Sequence, residues 1–409
     1  MEGMNGADMA FVIFSAALVM FMVPGLALFY GGMVKSKNVL STTLHSYAAL
    51  VIISVQWIFI GYSLAFGKGN GFIGNFDWAF LNNIGFEANP TYSSTIPHLL
   101  FIVFQMMFAI ITAAVISGAF AERMRFPAFI LFTLLWTTLV YDPIAHWVWS
   151  GSGWLKHLGV LDFAGGYVVE INSGVSGLVA AIMLGKRRKT RPDPHHVPMA
   201  ILGGGILWFG WFGFNAGSAL AINGVAVNAF LTTNTSAAAG AIAFVICEWI
   251  MNKKPTTLGA ISGAIAGLVA ITQGAGYVTA NSAFIIGLVG GAVSFGAIVI
   301  LKGKVGYDDA LDAFGCHGVA GIWGAIAIAI FATTKVNPNG ADGLLSGNFE
   351  LLKAHLIGIG AVALYAATAT FIILKVVSLV AKLRTASDDE SLGLDIALHG
   401  EAAYSIMNR

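Results

Sequence analysis

Eleven long apolar stretches constrain the fold of this 409-residue chain more than any other feature. They lie at roughly 7–31, 41–66, 96–119, 126–147, 166–185, 198–217, 224–251, 258–275, 279–301, 315–334 and 351–381. A helix needs about 20 mostly apolar residues to cross a bilayer. Only 10% of the residues are charged and 57% are hydrophobic, which is too little charge to cover a water-soluble surface. The sequence therefore predicts an all-α polytopic membrane protein with eleven transmembrane helices.

Basic residues predict how these helices are oriented. Of the 21 Lys and Arg residues, 16 follow odd-numbered stretches, and five of these lie in 186–191. Because cytoplasmic loops carry an excess of Lys and Arg, we expect the N-terminus outside and the C-terminus in the cytoplasm. The N-terminus has no basic segment of a signal peptide, so the first stretch is expected to remain. A formal net charge of +1 gives no strong positive potential that would attract a nucleic acid, so we expect no nucleic-acid partner.

The odd number of helices suggests two inverted repeats of five with one helix added, as in many transporters. We expect a transmembrane domain over 1–381, built from pseudo-repeats 1–190 and 198–334 and an added helix 351–381. A cytoplasmic regulatory tail over 382–409 is expected to follow.

Two ionisable residues inside the stretches point to the chemistry. The letters DFAGG (162–166) open the fifth stretch and precede Glu170, whereas DAFG (312–315) opens the tenth and precedes His317. Ionisable groups are costly in a membrane and by default mark a pathway. If these stretches are equivalent, Glu170 and His317 meet near the midplane. Two separate interior groups, each with its own hydrogen bonds, are the alternative.

The sixth stretch ends with aromatic and small polar residues, WFGWFGFNAGS over 208–218. The hydroxyl of Ser218 beside aromatic faces suits a small cation, which gains roughly 0.5–2 kcal/mol over a ring. Trp149 would supply another face, although an interfacial tryptophan is ordinarily a membrane anchor. Asp162 and Asp312 each precede a helix, where a carboxylate either caps backbone N–H groups or contacts a ligand.

The sequence contains no nucleotide-binding loop and no zinc-protease pattern. The pair His195-His196 has no accompanying Cys or carboxylate ligand pattern. We therefore expect no enzyme activity, no cofactor and no metal.

Several motifs together resemble the Amt/Mep/Rh family of ammonium transporters, and more closely its Amt/Mep branch. In chain order they are PGLALFYGG (24–32), AERMRF (121–126), DPIAHWVW (142–149), LDFAGG (161–166), NAGS (215–218) and FGCHGV (314–319). The resemblance implies a homotrimer in the plasma or inner membrane, with one pore through each eleven-helix subunit. It implies ammonium or ammonia as substrate and methylammonium as an accepted analogue.

The resemblance also assigns site residues. It implies an outer cation site formed by Phe108, Trp149 and Ser218, with Asp162 beside it in a mainly structural role. It implies a phenylalanine gate formed by Phe108 and Phe214. Thr272 matches a threonine of the pore-lining region.

One departure from the family pattern concerns the proton. The family usually places two histidines face to face in the pore; the second matches His317, whereas the first falls on Glu170, which resembles a minority pattern within the family. Our hypothesis is that this pair relays a proton and makes transport electrogenic. The alternatives are an ammonium sensor with little flux and an electroneutral, Rh-like ammonia channel.

The tail 382–409 resembles the tail of this family. The resemblance implies contact with neighbouring subunits and a PII-type signal protein as a partner at the cytoplasmic face.

Overall fold

A computed structural model of the chain describes residues 3–188 and 194–404. Throughout these residues the regular structure is helical, without a β-strand. Eleven apolar helices, numbered α1 to α11, are Gly6–Met33, Ser36–Phe66, His98–Phe120, Phe126–His157, Gly166–Leu184, Val197–Gly217, Gly224–Asn252, Thr257–Ile271, Ala280–Val305, Phe314–Phe331 and Phe349–Val380. Each corresponds to one of the eleven apolar stretches.

Four of these helices differ from the expected bounds by at least four residues at one end: α2 begins five residues earlier than predicted, α9 ends four residues later, and α4 and α8 also differ. Helix α8, Thr257–Ile271, is shorter than the predicted 258–275, because residues 272–277 form turns. Helix α4 continues past the predicted end at 147 as far as Trp149, and a further helical turn follows a break at 150–153. All of the eleven helices except α8 are long and apolar enough to cross a membrane. The basic residues at 189 and 191 and at the C-terminus lie outside the described residues.

Side chains near the helix starts account for where several helices begin. The first N–H groups of a helix have no intrahelical acceptor, and Asn or Thr oxygens satisfy them. Asn5 caps α1, Asn223 caps α7, Thr256 caps α8 and Asn348 caps α11. The sequence therefore marks these starts locally, before any tertiary contact is made.

The outer surface of the helix bundle is apolar. Large hydrophobic side chains such as Phe14, Leu364 and Leu379 are 60%, 71% and 83% exposed. Contiguous exposed apolar surface is unfavourable in water and is satisfied by lipid. This surface is the one expected of a bundle embedded in a bilayer.

Glycines let the helices approach closely. A Cβ atom on Gly203 of α6 would lie 2.2 Å from the backbone nitrogen of Phe29 in α1, and one on Gly267 of α8 would lie 2.2 Å from the carbonyl oxygen of Ser236 in α7. Small residues at such contacts are typical of membrane helices, where apolar burial alone gives little drive for association.

Five of the helices contain a π-helical segment. These segments are Trp57–Gly61, Thr137–Tyr141, Gly166–Ile171, Gly296–Leu301 and Phe314–Val319. Such segments are rare and frequently lie at functional sites. The third opens α5 and the fifth opens α10.

The chain after α11 folds back onto its own subunit. Two short helices, α12 (Ser387–Leu392) and α13 (Leu394–His399), follow α11. The carboxylate of Asp395 accepts hydrogen bonds from the backbone N–H groups of Leu40 and Ser41, at 3.1 and 2.8 Å. The tail therefore caps the start of α2.

Candidate functional site: a narrow pore closed by a Glu–His pair

Glu170 of α5 and His317 of α10 meet inside the bundle. The Nδ1 atom of His317 lies 2.6 Å from Oε2 of Glu170. Their side chains are only 7% (His317) and 1% (Glu170) exposed. The Nε2 atom of His317 has no hydrogen-bond partner in the described part of the chain, and its ring borders a cavity. The pair is therefore buried and remains open on one side.

The local backbone explains how Glu170 is aimed. Gly165 has φ +109°, a conformation that favours glycine. Its carbonyl oxygen accepts a hydrogen bond from the N–H of Glu170, five residues on, at 3.1 Å. This i+5 bond widens the first turn of α5 into the π-helical segment that carries Glu170.

Asp162 holds the start of that segment. Its carboxylate accepts hydrogen bonds from the N–H groups of Gly165, Gly166 and Tyr167, at 2.8, 2.7 and 2.9 Å. Burial raises the pKa of Asp162 to about 6, and these N–H donors oppose that effect. The side chain of Asp162 therefore acts as a helix cap, which is one of the two roles expected for it.

The expected counterpart, Asp312, does not cap α10. Asp309 accepts hydrogen bonds from the N–H groups of Ala313 and Phe314, at 3.1 and 2.7 Å. Asp312 instead pairs with Lys302 at 2.6 Å. The capping role expected of Asp312 is wrong, because the carboxylate that reaches these N–H groups stands three residues earlier in the chain.

A close backbone contact brings the two helices together beside the pair. A Cβ atom on Gly174 of α5 would lie 2.1 Å from the backbone nitrogen of Gly318 in α10. Gly174 is one helical turn after Glu170, and Gly318 directly follows His317. This close backbone approach accompanies the 2.6 Å hydrogen-bond distance between the two side chains.

A narrow, mostly apolar cavity adjoins the pair. Besides Glu170 and His317, apolar side chains of α1, α3, α5 and α6 line it. The space open to the centre of a water-sized molecule is about 10 Å³, which is roughly the room for one such molecule. Trp211 lines it and donates its indole N–H to Thr272 at 3.0 Å. Thr272 thus holds in place a residue that lines the cavity, although it does not line the cavity itself.

Two phenyl rings in close, tilted contact adjoin the cavity. The ring centroids of Phe108 and Phe214 are 4.3 Å apart at 30°, and Phe214 itself lines the cavity. The indole of Trp149 meets Phe108 edge to face at 5.8 Å. The carbonyl oxygen of Asp162 accepts a hydrogen bond from the Trp149 indole at 3.0 Å. Ser218, one turn after Phe214, donates to the Phe214 carbonyl at 2.8 Å and is partly exposed.

The residues assigned from sequence therefore form one continuous arrangement. The cavity wall contains Phe214, Glu170 and His317. Phe108 contacts Phe214 and Trp149, and Ser218 bonds the Phe214 carbonyl. Sequence reasoning did not identify Trp211 as a lining residue or Asp309 as a cap. The first belongs to an aromatic run that reads equally well as a membrane anchor, and a carboxylate several residues before a helix has no distinct sequence signal.

Loops on the side of the basic residues are joined by buried ion pairs. Arg187 contacts Glu122 and Asp308, each at 2.9 Å. Burial alone would raise the pKa of Asp308, but the hydrogen bonds and charge of Arg187 lower it below its ordinary value. Within residues 3–188 and 194–404, no group of three or more His, Cys, Asp or Glu side chains is placed to hold a metal ion.

Within the described residues, eleven apolar helices surround a narrow cavity and ten of them are long enough to cross a membrane, which defines this chain as a multi-pass membrane protein. The model of the Ammonium Transporter Family matches residues 10–404, and the chain belongs to that family. It is 58% identical to an ammonium transporter of Bacillus subtilis (strain 168), over 98% of this chain and 99% of that protein. It is similar to the crystal structure of Saccharomyces cerevisiae Mep2, with a TM-score of 0.89 and 38% identity over 95% of this chain and 89% of that one. A solved structure titled Sensor Amt Protein is similar too, with a TM-score of 0.87 and 31% identity over 96% and 98%.

Proposed function

We propose that this chain transports ammonium through the pore of each subunit, by binding the cation on one side and passing ammonia and a proton separately. The observation that carries the proposal is the buried Glu170–His317 pair in the wall of a narrow apolar cavity. Membership of the ammonium transporter family supports the choice of substrate. Methylammonium, which also bears a charge and N–H donors, is expected to follow the same route.

The outer cation site is assigned to Trp149, Phe108 and Ser218. Ammonium has one charge and four N–H donors, which suit aromatic faces and an accepting hydroxyl oxygen. The edge-to-face contact of Trp149 and Phe108 and the partial exposure of Ser218 support this assignment. Potassium has the same charge but donates no hydrogen bond and cannot lose a proton.

Selectivity follows from the walls beyond the site. We assign the closely packed rings of Phe108 and Phe214 as a gate between the outer residues and a cavity that offers an intact cation few polar partners. Moving a charged ion into this cavity has a large desolvation free energy, whereas the desolvation free energy of neutral ammonia is small. Transfer of the proton to the Glu170–His317 pair as ammonium passes the gate leaves ammonia in the cavity, and potassium is excluded because it has no proton to lose.

The proton is assigned to the Glu170–His317 pair. The 2.6 Å contact allows a proton to pass between the carboxylate and the imidazole. A relay through the pair makes net transport electrogenic.

The wider assembly is part of the same proposal. We infer a homotrimer with the N-terminus outside and with pseudo-repeats 1–190 and 198–334. We also infer a regulatory tail over 382–409 and a PII-type protein that binds at the cytoplasmic face. The paired π-helical openings of α5 and α10 support the repeat. The hydrogen bonds between α13 and the start of α2 support a tail whose position is coupled to that of the transmembrane helices.

Ammonium sensing is the second candidate function. The similar structure titled Sensor Amt Protein covers nearly the same length as this chain. A shared fold therefore does not separate a transporter from a sensor, and flux has to be measured.

The test is an ammonium concentration jump on purified protein in sealed liposomes, with potassium as the control ion and with current and lumenal pH recorded together. We expect an ammonium-specific current that Glu170→Gln lowers by about tenfold or more, since a proton-transfer group typically contributes a factor of 10²–10⁴. Glu350→Gln is the matched control, because it removes a carboxylate that is 83% exposed.

Each contrary result has a distinct meaning. A lumenal pH change without current would indicate electroneutral ammonia passage, as in an Rh-like channel. Silence in both signals would favour the sensor. An unchanged current in a folded Glu170→Gln protein would refute the relay.

A further inference from the structure

A second buried carboxyl group lies in the membrane interior, away from the pore. Asp142 in α4 is fully buried and is not among the residues that line the cavity. No ion pair reaches it from the part of the chain that the structure describes. Its Oδ2 atom accepts a hydrogen bond from Nε2 of Gln56 in α2 at 2.7 Å, and the same amide nitrogen also lies 3.1 Å from Oγ1 of Thr138.

The two partners flank adjacent π-helical segments. Gln56 directly precedes Trp57–Gly61, and Asp142 directly follows Thr137–Tyr141. These segments contact each other. A Cβ atom on Gly61 would lie 2.5 Å from Oε1 of Gln56. The amide is therefore packed against α2 and held in place beside the carboxyl group.

Hydrogen-bond accounting shows that one donor is missing. Oδ1 of Asp142 and Oε1 of Gln56 are both buried and both lack a partner among the described residues. With an ionised carboxylate both atoms are acceptors, and each buried acceptor without a donor costs about 1–3 kcal/mol. An uncompensated carboxylate in an apolar interior costs considerably more.

One proton on Oδ1 satisfies both atoms. A carboxylic acid and a primary amide can exchange two hydrogen bonds: the amide N–H donates to one acid oxygen, and the acid O–H donates to the amide oxygen. The first of these bonds is present at 2.7 Å, and the two atoms left over are the ones that the second bond would join.

We propose that Asp142 permanently binds a proton and forms, with Gln56, a neutral acid–amide pair that joins α2 to α4. A proton suits the site better than a metal ion, because Oδ2 is already occupied by an N–H donor. The proton is resident rather than transported, because the pair does not border the pore.

The titratable neighbours make no hydrogen bond or ion pair with Asp142 among the described residues. Tyr141 directly precedes Asp142 in α4, and Tyr62 lies six residues after Gln56 in α2, where its hydroxyl contacts the ring of His98. His146, one turn further along α4, has its ring nitrogens at the carbonyl oxygens of Ala65 and Asn70, at 3.0 and 2.6 Å.

The test is an infrared difference spectrum between the wild-type protein and Asp142→Asn. We expect the wild type to show a protonated-carboxyl stretch that persists from mildly acidic to mildly alkaline buffer and is lost in Asp142→Asn. Glu350→Gln should lose no such band at neutral pH, because that carboxylate is exposed. A difference spectrum without a lost band would overturn the proposal.

Thermal unfolding gives an independent readout. Asparagine can make both hydrogen bonds of a neutral acid, so Asp142→Asn should melt close to the wild type, whereas Asp142→Ala should melt several degrees lower. Equal losses in both variants would contradict the neutral pair. If Asp142→Asn does not fold, Gln56→Leu in the wild-type background should shift the carboxyl band, and an unshifted band would refute the pairing.

Discussion

Adding one methyl group at Gly174 should separate Glu170 from His317 without altering the side chain of either residue. A Cβ atom there would lie 2.1 Å from the backbone nitrogen of Gly318, whereas ordinary van der Waals contact begins at 3.4 Å. Neither backbone can rotate away, so α5 and α10 must move apart by about 1.3 Å at this level.

The displacement is large compared with the contact that it disturbs. Glu170 and His317 are now 2.6 Å apart, and a shift of that size would take them to roughly 3.9 Å, beyond hydrogen-bond range. Forcing extra volume into such a contact typically costs about 1–3 kcal/mol. We therefore expect Gly174→Ala to lower the melting temperature by a few degrees and the ammonium current by about tenfold or more.

The assay is the liposome current after an ammonium jump, normalised to the amount of folded protein. Gly360→Ala is the matched control, because a Cβ atom at Gly360 in α11 meets nothing within 4 Å. A Gly174→Ala protein with the current and melting temperature of the wild type would refute the claim that this backbone contact positions the pair.

Three further outcomes are expected. Trp149→Leu should raise the ammonium concentration for half-maximal current by about 2- to 30-fold, because a cation gains roughly 0.5–2 kcal/mol over an aromatic face; an unchanged value would remove the ring from the site. Because Arg187 lowers the pKa of Asp308, the folded state gains stability that is present above the ordinary carboxyl pKa and lost as pH falls through the lowered value. The melting temperature of Asp308→Asn should therefore fall less on acidification than that of the wild type. Equal dependence of melting temperature on pH in the two proteins would count against this linkage. Asp395→Ala should destabilise the docked tail by about 1 kcal/mol, because it removes the carboxylate that caps α2. The measurement is amide hydrogen exchange over Ser387–Leu392, which should become faster. Unchanged exchange would show that other contacts hold the tail.

Most of the fold could be predicted because the membrane simplifies the problem. In lipid, every backbone polar group must be satisfied within the protein, so a long apolar stretch has essentially one solution, a helix. The predicted end of α8 at 275 is wrong, because residues 272–277 (TQGAGY) are mostly polar or glycine and form turns after Ile271. There the Thr272 hydroxyl accepts a hydrogen bond from the Trp211 indole at 3.0 Å, a contact that hydrophobicity does not report.

The site was predictable where a side chain is unusual for its surroundings. Glu170 and His317 stand out because charge inside an apolar helix is rare. Their approach to 2.6 Å depends on features without such a signal: the i+5 turn at Gly165 and the backbone contact of Gly174 with Gly318. The same limit explains why Asp142 attracted attention only as part of a family motif, since its partner Gln56 lies 86 residues away.

The Glu170–His317 contact also determines what kind of proton site this pore can contain. With one proton the pair is neutral, whether the proton sits on the carboxylate or on the imidazole. Without that proton the pair has a charge of −1, and with a second proton its charge is +1. Both charged states are disfavoured by apolar walls that provide almost no compensating dipoles. A pair of this kind can move a proton between its two members at little electrostatic cost, but it accepts a new proton only as it releases the one it holds. It is therefore suited to relay a proton in step with an arriving cation, and poorly suited to accumulate charge between transport events.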